Sequence, residues 1–215
     1  MDIELALTLV SGIAWTVAYV GILRAGARDR TYGMPLAALV LNLAWESTYA
    51  VNEFRHGLSA QGVVNVVWTA LDVAILAGWF RHGRAELPAW VGRRLFIAWG
   101  VLALAAGYAV QWLFLAHFGT HDATRNSAFL QNLLMSVLFI ALYTRREGPR
   151  GQSLTVAMAK WLGTLAPTFL FGVIEDSPFI LGLGLLCCVF DLLYIALLVR
   201  NPALRPAPSN PAPAQ

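Results

Sequence analysis

The sequence is poor in charged residues, and this property limits its fold first. Only 13% of the 215 residues are charged, whereas 58% are hydrophobic. A soluble domain has roughly a quarter charged residues and a little under half apolar ones. The chain therefore lacks the polar surface of a water-soluble protein. Its length suits one compact bundle and not two large domains.

Residues that build metal or redox sites are also scarce. The only cysteines, Cys187 and Cys188, are adjacent in an apolar run, a spacing that favours neither a mutual disulfide nor a metal site. The four histidines fall in predicted loops or at the ends of apolar runs. HExxH, GxSxG and DDxxD motifs are absent, so the sequence offers no plan for holding Mg²⁺ and a diphosphate. We expect no metal and no cofactor.

Seven apolar runs are present, each near the ~20 residues that cross ~30 Å of hydrocarbon. They are Leu5–Gly26, Pro35–Phe54, Gln61–Phe80, Leu95–His117, Ser127–Thr144, Ser153–Ile174 and Phe179–Val199. The first is not predicted to be a signal peptide, because acidic residues and not basic ones precede it. The sequence predicts an all-α integral-membrane bundle of seven transmembrane helices over residues 1–200. The Pro/Ala-rich residues 201–215 are predicted to be a disordered tail.

The placement of the arginines predicts the orientation of these spans. Twelve arginines fall in loops on one side of the predicted membrane, and only Arg55 and Arg125 fall on the other. Basic loops stay in the cytoplasm, so the N-terminus is predicted outside and the C-terminus inside. The excess of arginine over lysine is typical of GC-rich bacterial genomes, so we expect a bacterial inner membrane. The expected surroundings are the lipid bilayer, and no nucleic-acid partner is expected.

A polar stripe interrupts the second span. Side chains three, four and seven residues apart share one face of a helix. The stripe consists of Asn42, Glu46, Tyr49 and Glu53. Glu46 is then placed at membrane depth, where an ionisable side chain is costly and indicates a functional site.

The third and seventh spans carry acids near their centres. Asp72 shares its helix face with Trp68 and Asn65, and Asp191 is followed one turn later by Tyr194. Structural and functional roles are equally compatible with Asp72. For Asp191, as for Glu46, the pattern favours a functional role.

One cation and several amides accompany these acids. Lys160, in the sixth span, is expected to reach the cytoplasmic surface or to pair with Asp191 or Asp72. Two central acids against one lysine leave at least one carboxyl group without a cation. Gln111, Gln131 and Asn132 lie towards the outer side. Together these residues predict a polar-lined pocket that opens to the outer half of the membrane.

An unpaired carboxyl group in an apolar pocket favours its protonated form, which makes it a Brønsted acid. Such an acid can protonate an alkene or an epoxide. The resulting carbocation is stabilised by aromatic faces, for which the spans offer Trp45, Tyr49, Trp68 and Tyr194. A second carboxylate can stabilise the cation or accept the final proton.

These motifs resemble a known family. The stretches Asn42-Leu-Ala-Trp45-Glu46, Trp68-Thr-Ala-Leu-Asp72 and Asp191-Leu-Leu-Tyr194, in a chain of seven spans, resemble the integral-membrane terpene cyclases of meroterpenoid and indole-terpenoid pathways. These are the pyripyropene- and paspaline-type cyclases of fungi and their bacterial relatives. The resemblance covers the whole chain in length and span count, but only the quoted motifs in detail.

The resemblance implies a protonation-initiated, metal-free cyclisation of a prenyl chain attached to an aromatic or alkaloid head group. It implies that Glu46 and Asp191 are the essential acid pair, and we expect Asp72 to be a third catalytic residue. The expected substrate-binding residues are Asn42, Trp45, Tyr49, Asn65, Trp68, Gln111 and Tyr194. The bacterial relatives are expected to protonate a terminal alkene directly. A farnesylated indole, supplied by an upstream prenyltransferase and converted to a drimane-like bicycle, fits this expectation.

Two other functions remain open from the sequence. Intramembrane acids also act as proton relays in proton-coupled transporters, including sugar-exporter-like carriers. Such carriers usually have repeated halves with broken spans at matching places. Here Pro167 in the sixth span has no counterpart in the second or third, which favours the cyclase. A prenyl-transferring or carotene-cyclising membrane enzyme is the third alternative, and the missing diphosphate motifs disfavour prenyl transfer.

Overall fold

A computed structural model describes residues 3–55, 57 and 59–201 of the chain. The predicted disordered tail lies outside the described residues, except for Asn201. The described part is all-helical and contains no β-strand. Its six α-helices are α1 (Ile3–Asp29), α2 (Leu36–Arg55), α3 (Ala60–His82), α4 (Arg93–Arg145), α5 (Leu154–Phe169) and α6 (Pro178–Arg200). A 3₁₀-helix (Gly83–Glu86) extends α3, and a π-helix (Leu170–Ile174) extends α5.

Helix α4 is a hairpin, and it covers the predicted fourth and fifth spans. Its 53 residues are interrupted only at Gly119, whose φ of 71° and ψ of 171° are not helical. In a continuous helix, residues 111 and 131 would be separated by about 30 Å. Instead, Gln111 Nε2 donates to Gln131 Oε1 at 2.9 Å, so the arms 93–118 and 120–145 lie antiparallel. The loop predicted between these spans is reduced to a turn at one glycine.

Within the described part of the chain, five helical stretches are long and apolar enough to cross a membrane. They are Ile3–Asp29, Gln61–Glu86, Arg93–Arg145, Leu154–Ile174 and Pro178–Arg200. Helix α2 is not one of these five, although its 20 residues have sufficient length. It carries the predicted polar stripe.

Serine residues cap the N-termini of three of the helices. The backbone N–H of Gly62 donates to Ser59 Oγ at 2.9 Å, and that of Val156 donates to Ser153 Oγ at 3.2 Å. Ser177 caps α6 in the same way, and Pro178 occupies its first turn. These caps satisfy backbone donors that have no partner inside the helix.

The helices pack as a closed ring. Going round it, α1 contacts α3, α3 contacts α2, α2 contacts α4, α4 contacts α6, α6 contacts α5, and α5 contacts α1. The 120–145 arm of α4 is the common neighbour of several of these helices. It contacts α2 through Gln131, α5 through Asn132 and α6 through Phe139. Polar groups from different helices therefore meet along this arm.

Arg146, whose side chain is buried, connects three loops at the end of the bundle that carries most of the arginines. Arg146 donates to both carboxylate oxygens of Glu86, at 2.8 and 3.0 Å, and to Thr31 Oγ1 at 2.9 Å. Its guanidinium also lies over the Tyr32 ring, 4.4 Å from the centroid. Burial and the Glu86 carboxylate raise the pKa of the Tyr32 phenol, which therefore stays uncharged. These contacts tie the α1–α2, α3–α4 and α4–α5 connections together.

We predict that Arg146→Gln destabilises the protein far more than Arg145→Gln. Both arginines pair with Glu86, but the Arg146 side chain is 4% exposed and that of Arg145 is 51% exposed. Removing Arg146 leaves the Glu86 carboxylate with only the exposed Arg145 as a cation, which we expect to cost about 3 kcal/mol, whereas removing an exposed partner costs about 0–1 kcal/mol. Denaturant unfolding in detergent micelles measures both variants. Equal destabilisation by the two substitutions would contradict this account.

Candidate active site

The polar face of α2 meets α1 and α3 in a compact group of four side chains. Asn42 Nδ2 donates to Glu46 Oε1 at 3.0 Å and to Asp72 Oδ2 at 2.9 Å. It is also within hydrogen-bonding reach of the Tyr19 hydroxyl, which donates to Glu46. We call Tyr19, Asn42, Glu46 and Asp72 the acid cluster. One amide thus joins two carboxyl groups from neighbouring helices.

The acid cluster is closed off from solvent and has no cation. Glu46 is 1% exposed and Asp72 is 0% exposed. Among the described residues, no lysine, arginine or histidine forms an ion pair with either acid. Glu46 Oε2 and Asp72 Oδ1 have no hydrogen-bond partner in the described part of the chain. Two ionised carboxylates at such a site would carry a large desolvation penalty, so the site favours carriage of at least one proton.

Aromatic rings flank the acid cluster on the α1 and α3 side. The Tyr19 ring lies between Trp15 and Trp68, with centroid distances of 6.0 and 5.9 Å. Trp68 is the residue one turn before Asp72 that the sequence singled out. These rings place electron-rich faces next to the two carboxyl groups, in the range of aromatic contacts.

A chain of amides links the acid cluster to both arms of α4. Gln131 Nε2 donates to Asn42 Oδ1 at 3.4 Å, and Gln111 Nε2 donates to Gln131 Oε1 at 2.9 Å. Gln111 is fully buried. These amides hold the Asn42 side chain with its oxygen towards α4 and its nitrogen towards the acids.

Asp191 belongs to a different polar group. Lys160 Nζ donates to its two carboxylate oxygens at 2.8 and 3.0 Å, and to Ser136 Oγ at 2.7 Å. Both charged side chains are 2% exposed. We call Ser136, Lys160 and Asp191 the ion-pair cluster. Of the partners considered for Lys160, the structure therefore selects Asp191.

The 120–145 arm contacts both clusters. Gln131 reaches the acid cluster, and the adjacent Asn132 donates to Thr164 Oγ1 at 2.6 Å, one turn from Lys160. Glu46 and Asp191 therefore have different immediate partners. The role of Asp191 as the second acid stays a prediction.

The other predicted substrate-binding residues are spread over the bundle. Trp45 and Tyr49 pack against each other at 5.0 Å, and Trp45 Nε1 donates to the Thr124 carbonyl oxygen at 3.0 Å. Asn65 accepts from Gln61 Nε2 at 2.9 Å within α3. Tyr194 is buried against Phe139, with a centroid distance of 5.6 Å. None of these contacts joins the acid cluster directly.

Two cavities lie beside the clusters. The α1–α3 slot has a volume of about 280 Å³ and is lined by residues of α1, α3 and the loop after α1. The α2–α4 cavity has a volume of about 550 Å³, and its lining includes Ser47, Thr48, Asn52, Arg55, Tyr108 and Trp112. Neither cavity is lined by Glu46, Asp72 or Asp191.

Tyr19 and Ser136 are the cluster members that the sequence analysis did not single out. Tyr19 lies in the middle of an apolar span, and its position one turn after Trp15 is the only signal for it. Ser136 follows Asn132 by one turn in the same way. Within residues 3–55, 57 and 59–201, no three His, Cys, Asp or Glu side chains form a group suited to a metal.

The comparisons with known proteins agree with one another. The family model for Pyr4-like transmembrane terpene cyclases matches residues 1–201. The Pyr4-family terpene cyclase mfmH of Annulohypoxylon moriforme is 28% identical over 178 residues, which cover 80% of this chain and 71% of that protein. Terpene cyclase pyr4 of Aspergillus fumigatus is 28% identical over 203 residues, which cover 89% of this chain and 84% of that protein.

A third relative is slightly more similar over a shorter region. Terpene cyclase ascF of Acremonium egyptiacum is 31% identical over 169 residues, which cover 72% of this chain and 61% of that protein. No solved structure matches the chain. The family match covers almost all of the sequence, including both clusters. The chain belongs to the family of Pyr4-like transmembrane terpene cyclases.

Proposed function

We propose that the chain cyclises the prenyl chain of a prenylated aromatic compound by protonating its terminal alkene. The substrate class is a farnesylated indole, a related alkaloid or a meroterpenoid precursor, formed by an upstream prenyltransferase. The observation that carries this proposal is the acid cluster. Its two buried carboxyl groups accept hydrogen bonds from the same amide, and no described cation pairs with either of them. Such a site keeps a proton available at membrane depth.

Glu46 is the proton donor in this mechanism. Its Oε1 is held by Asn42 and Tyr19, whereas its Oε2 has no hydrogen-bond partner among the described residues and is free to present the proton. The proton adds to the less substituted carbon of the terminal alkene, and the carbon that bears the two methyl groups becomes a tertiary cation. The next double bond attacks this cation and closes a ring. Trp68 and Trp15 stabilise the positive charge through their ring faces.

A carboxylate ends the reaction by accepting a proton from the carbon next to the final cation. Asp191 fits this role because Lys160 keeps its charge balanced in the bundle. Asp72 acts through Asn42 and is a positioning residue, because the carboxyl group it presents fixes the amide that holds Glu46. The proton gained and the proton lost balance, so the product has the mass of the substrate. No metal takes part.

The surrounding topology is part of the proposal. We propose that both arms of α4 and helix α2 cross the bilayer, which gives seven crossings. The N-terminus is outside, the C-terminus is cytoplasmic and residues 1–200 form the cyclase domain. The one-sided distribution of arginines supports this arrangement. In this proposal the membrane is a bacterial inner membrane.

We expect Glu46→Gln to lower cyclisation at least 100-fold, because the amide keeps the shape and hydrogen bonds of the side chain but holds no acidic proton. Glu53→Gln, the same substitution on the same helix, is the matched control and should retain activity within about twofold. The measurement is conversion of 3-farnesylindole and of a farnesylated phenol to products of unchanged mass by protein in nanodiscs. Loss of the terminal alkene identifies the products by NMR.

This experiment distinguishes a Glu46 that donates a proton from a Glu46 that only supports the fold. Folding of both variants is checked by size-exclusion chromatography and by denaturant unfolding. Full activity of a folded Glu46→Gln variant contradicts the mechanism. Absence of any product of unchanged mass from both compounds with the wild-type protein contradicts the proposed function itself.

We expect Asp191→Asn to act on stability and on activity through two separable effects. It leaves Lys160 buried without its anion, which costs about 3–5 kcal/mol. The double variant Lys160→Met with Asp191→Asn removes the unpaired charge and should regain most of the lost stability. Its cyclisation rate should stay at least 100-fold below wild type, because the proton acceptor is still missing. Recovery of activity in the double variant would show that Asp191 only supports the fold.

We expect opposite accessibility for single cysteines placed just beyond the two ends of α4's first arm. Cys187 and Cys188 are replaced by alanine as a background, and cysteine is then introduced at Ala89 or at His121, both of which are exposed. In intact spheroplasts, a membrane-impermeant maleimide should label the variant His121→Cys but not Ala89→Cys. Labelling of Ala89→Cys in intact spheroplasts would overturn the proposed orientation. Permeabilised cells, in which both are labelled, are the control.

A further inference from the structure

We propose that the α1–α3 slot is the binding site for the aromatic head group of the substrate. Its prenyl tail then extends between α1 and α3 towards Glu46. This inference rests on the proposed function and adds the place, and the chemistry, by which the enzyme recognises the part of the substrate that does not react.

The slot is continuous with the acid cluster along two helices. Its lining begins at Ile22 on α1 and at Ala74 on α3, which are one turn or less beyond Tyr19 and Asp72. It ends at Arg81 and the adjacent histidine. The acid cluster and the slot thus follow one another along the same α1–α3 interface.

The dimensions of the slot fit a head group with a tail above it. Nine residues of helix separate Asp72 from Arg81, which corresponds to about 13 Å along the axis. This separation is comparable to the extended length of a chain of three isoprene units. The 280 Å³ volume is near the low end of ligand pockets, so it fits part of the substrate and not all of it.

The lining of the slot also fits an aromatic ring. Its walls are built from small side chains and apolar ones, including Gly26, Ala27, Ala77 and Gly78. Arg81 also lines the slot and forms no ion pair with any described residue, so its guanidinium is available to stack on a ring face. Thr31 and Tyr32 line the slot as well, and Arg146 holds both in place.

Ile22 and Ile75 stand between the slot and the acid cluster. Each is 3% exposed and follows a cluster residue by three positions, Ile22 after Tyr19 and Ile75 after Asp72. The prenyl tail has to displace these two side chains to reach Glu46. Entry of the tail therefore requires these two side chains to move.

The test fills the slot with a side chain. A Cβ at Gly78 meets no atom within 4 Å, so Gly78→Leu places an isobutyl group in the slot without a backbone clash. Gly182→Leu on α6 is the matched control, because a Cβ there also meets no atom within 4 Å and the position is exposed. We expect Gly78→Leu to raise KM for 3-farnesylindole at least tenfold with a smaller effect on kcat. Gly182→Leu should match the wild type in both constants and in unfolding midpoint.

A photolabel locates the head group independently of turnover. The probe is 3-farnesylindole with a diazirine on the indole ring, irradiated with wild-type protein in nanodiscs and mapped by mass spectrometry. We expect label on residues 22–33 and 74–82, suppressed by excess 3-farnesylindole and by Gly78→Leu. Label concentrated on residues 47–55 and 108–120 would assign the head group to the α2–α4 cavity and overturn the inference. Displacement by phosphatidylglycerol but not by 3-farnesylindole would make the slot a lipid site, with the same result.

The possible results distinguish a failure of this inference from a failure of the proposed function. Cyclisation by the wild type with an unchanged KM in Gly78→Leu overturns the slot and leaves the function standing. Failure of the wild type to cyclise 3-farnesylindole and the farnesylated phenol counts against the function. Specific labelling of the slot in that case would still show that it binds a prenylated aromatic compound.

Discussion

The rest of the structure depends on how the apolar bundle holds the carboxyl groups of Glu46 and Asp72, which pair with no cation among the described residues. An isolated buried carboxylate is strongly unfavourable, and hydrogen bonds alone compensate a neutral acid far better than a charged one. Here the compensation comes from one amide, Asn42, and one phenol, Tyr19. Three helices must keep their relative positions for these contacts to survive, because each side chain comes from α1, α2 or α3. The acid cluster is therefore a constraint on helix packing as well as the proposed reactive centre.

The ion-pair cluster follows the opposite rule. Lys160 and Asp191 are equally buried, yet each finds its counter-charge within hydrogen-bonding distance. The bundle thus places a charge-balanced carboxylate and a cation-free pair of carboxyl groups on either side of the 120–145 arm. An acid–base reaction that begins with a proton donor and ends at a proton acceptor needs two sites of this kind.

The sequence predicted the helical class, the approximate limits of the helices and the residues of unusual polarity. These features depend on apolar length and on polar side chains at membrane depth, which a single sequence displays directly. It was harder to predict which of these polar side chains contact each other. The stripe with Asn42 pointed to Glu46, but the pairing of Asp191 with Lys160 and the bridging of Glu46 to Asp72 depend on which helices are neighbours. Tyr19 was missed because an aromatic residue in an apolar span normally indicates packing.

The turn at Gly119 has a consequence beyond the shape of α4. Its φ of 71° and ψ of 171° fall in a region that is almost exclusive to glycine, so any side chain there strains the reversal. The two arms that it joins carry Gln111 and Gln131, and this amide chain ends on Asn42. An exposed glycine is thereby connected, through two buried amides, to the orientation of Asn42 and of the carboxyl groups that it holds. A substitution at Gly119 would therefore reach the interior of the bundle without changing any residue of the acid cluster.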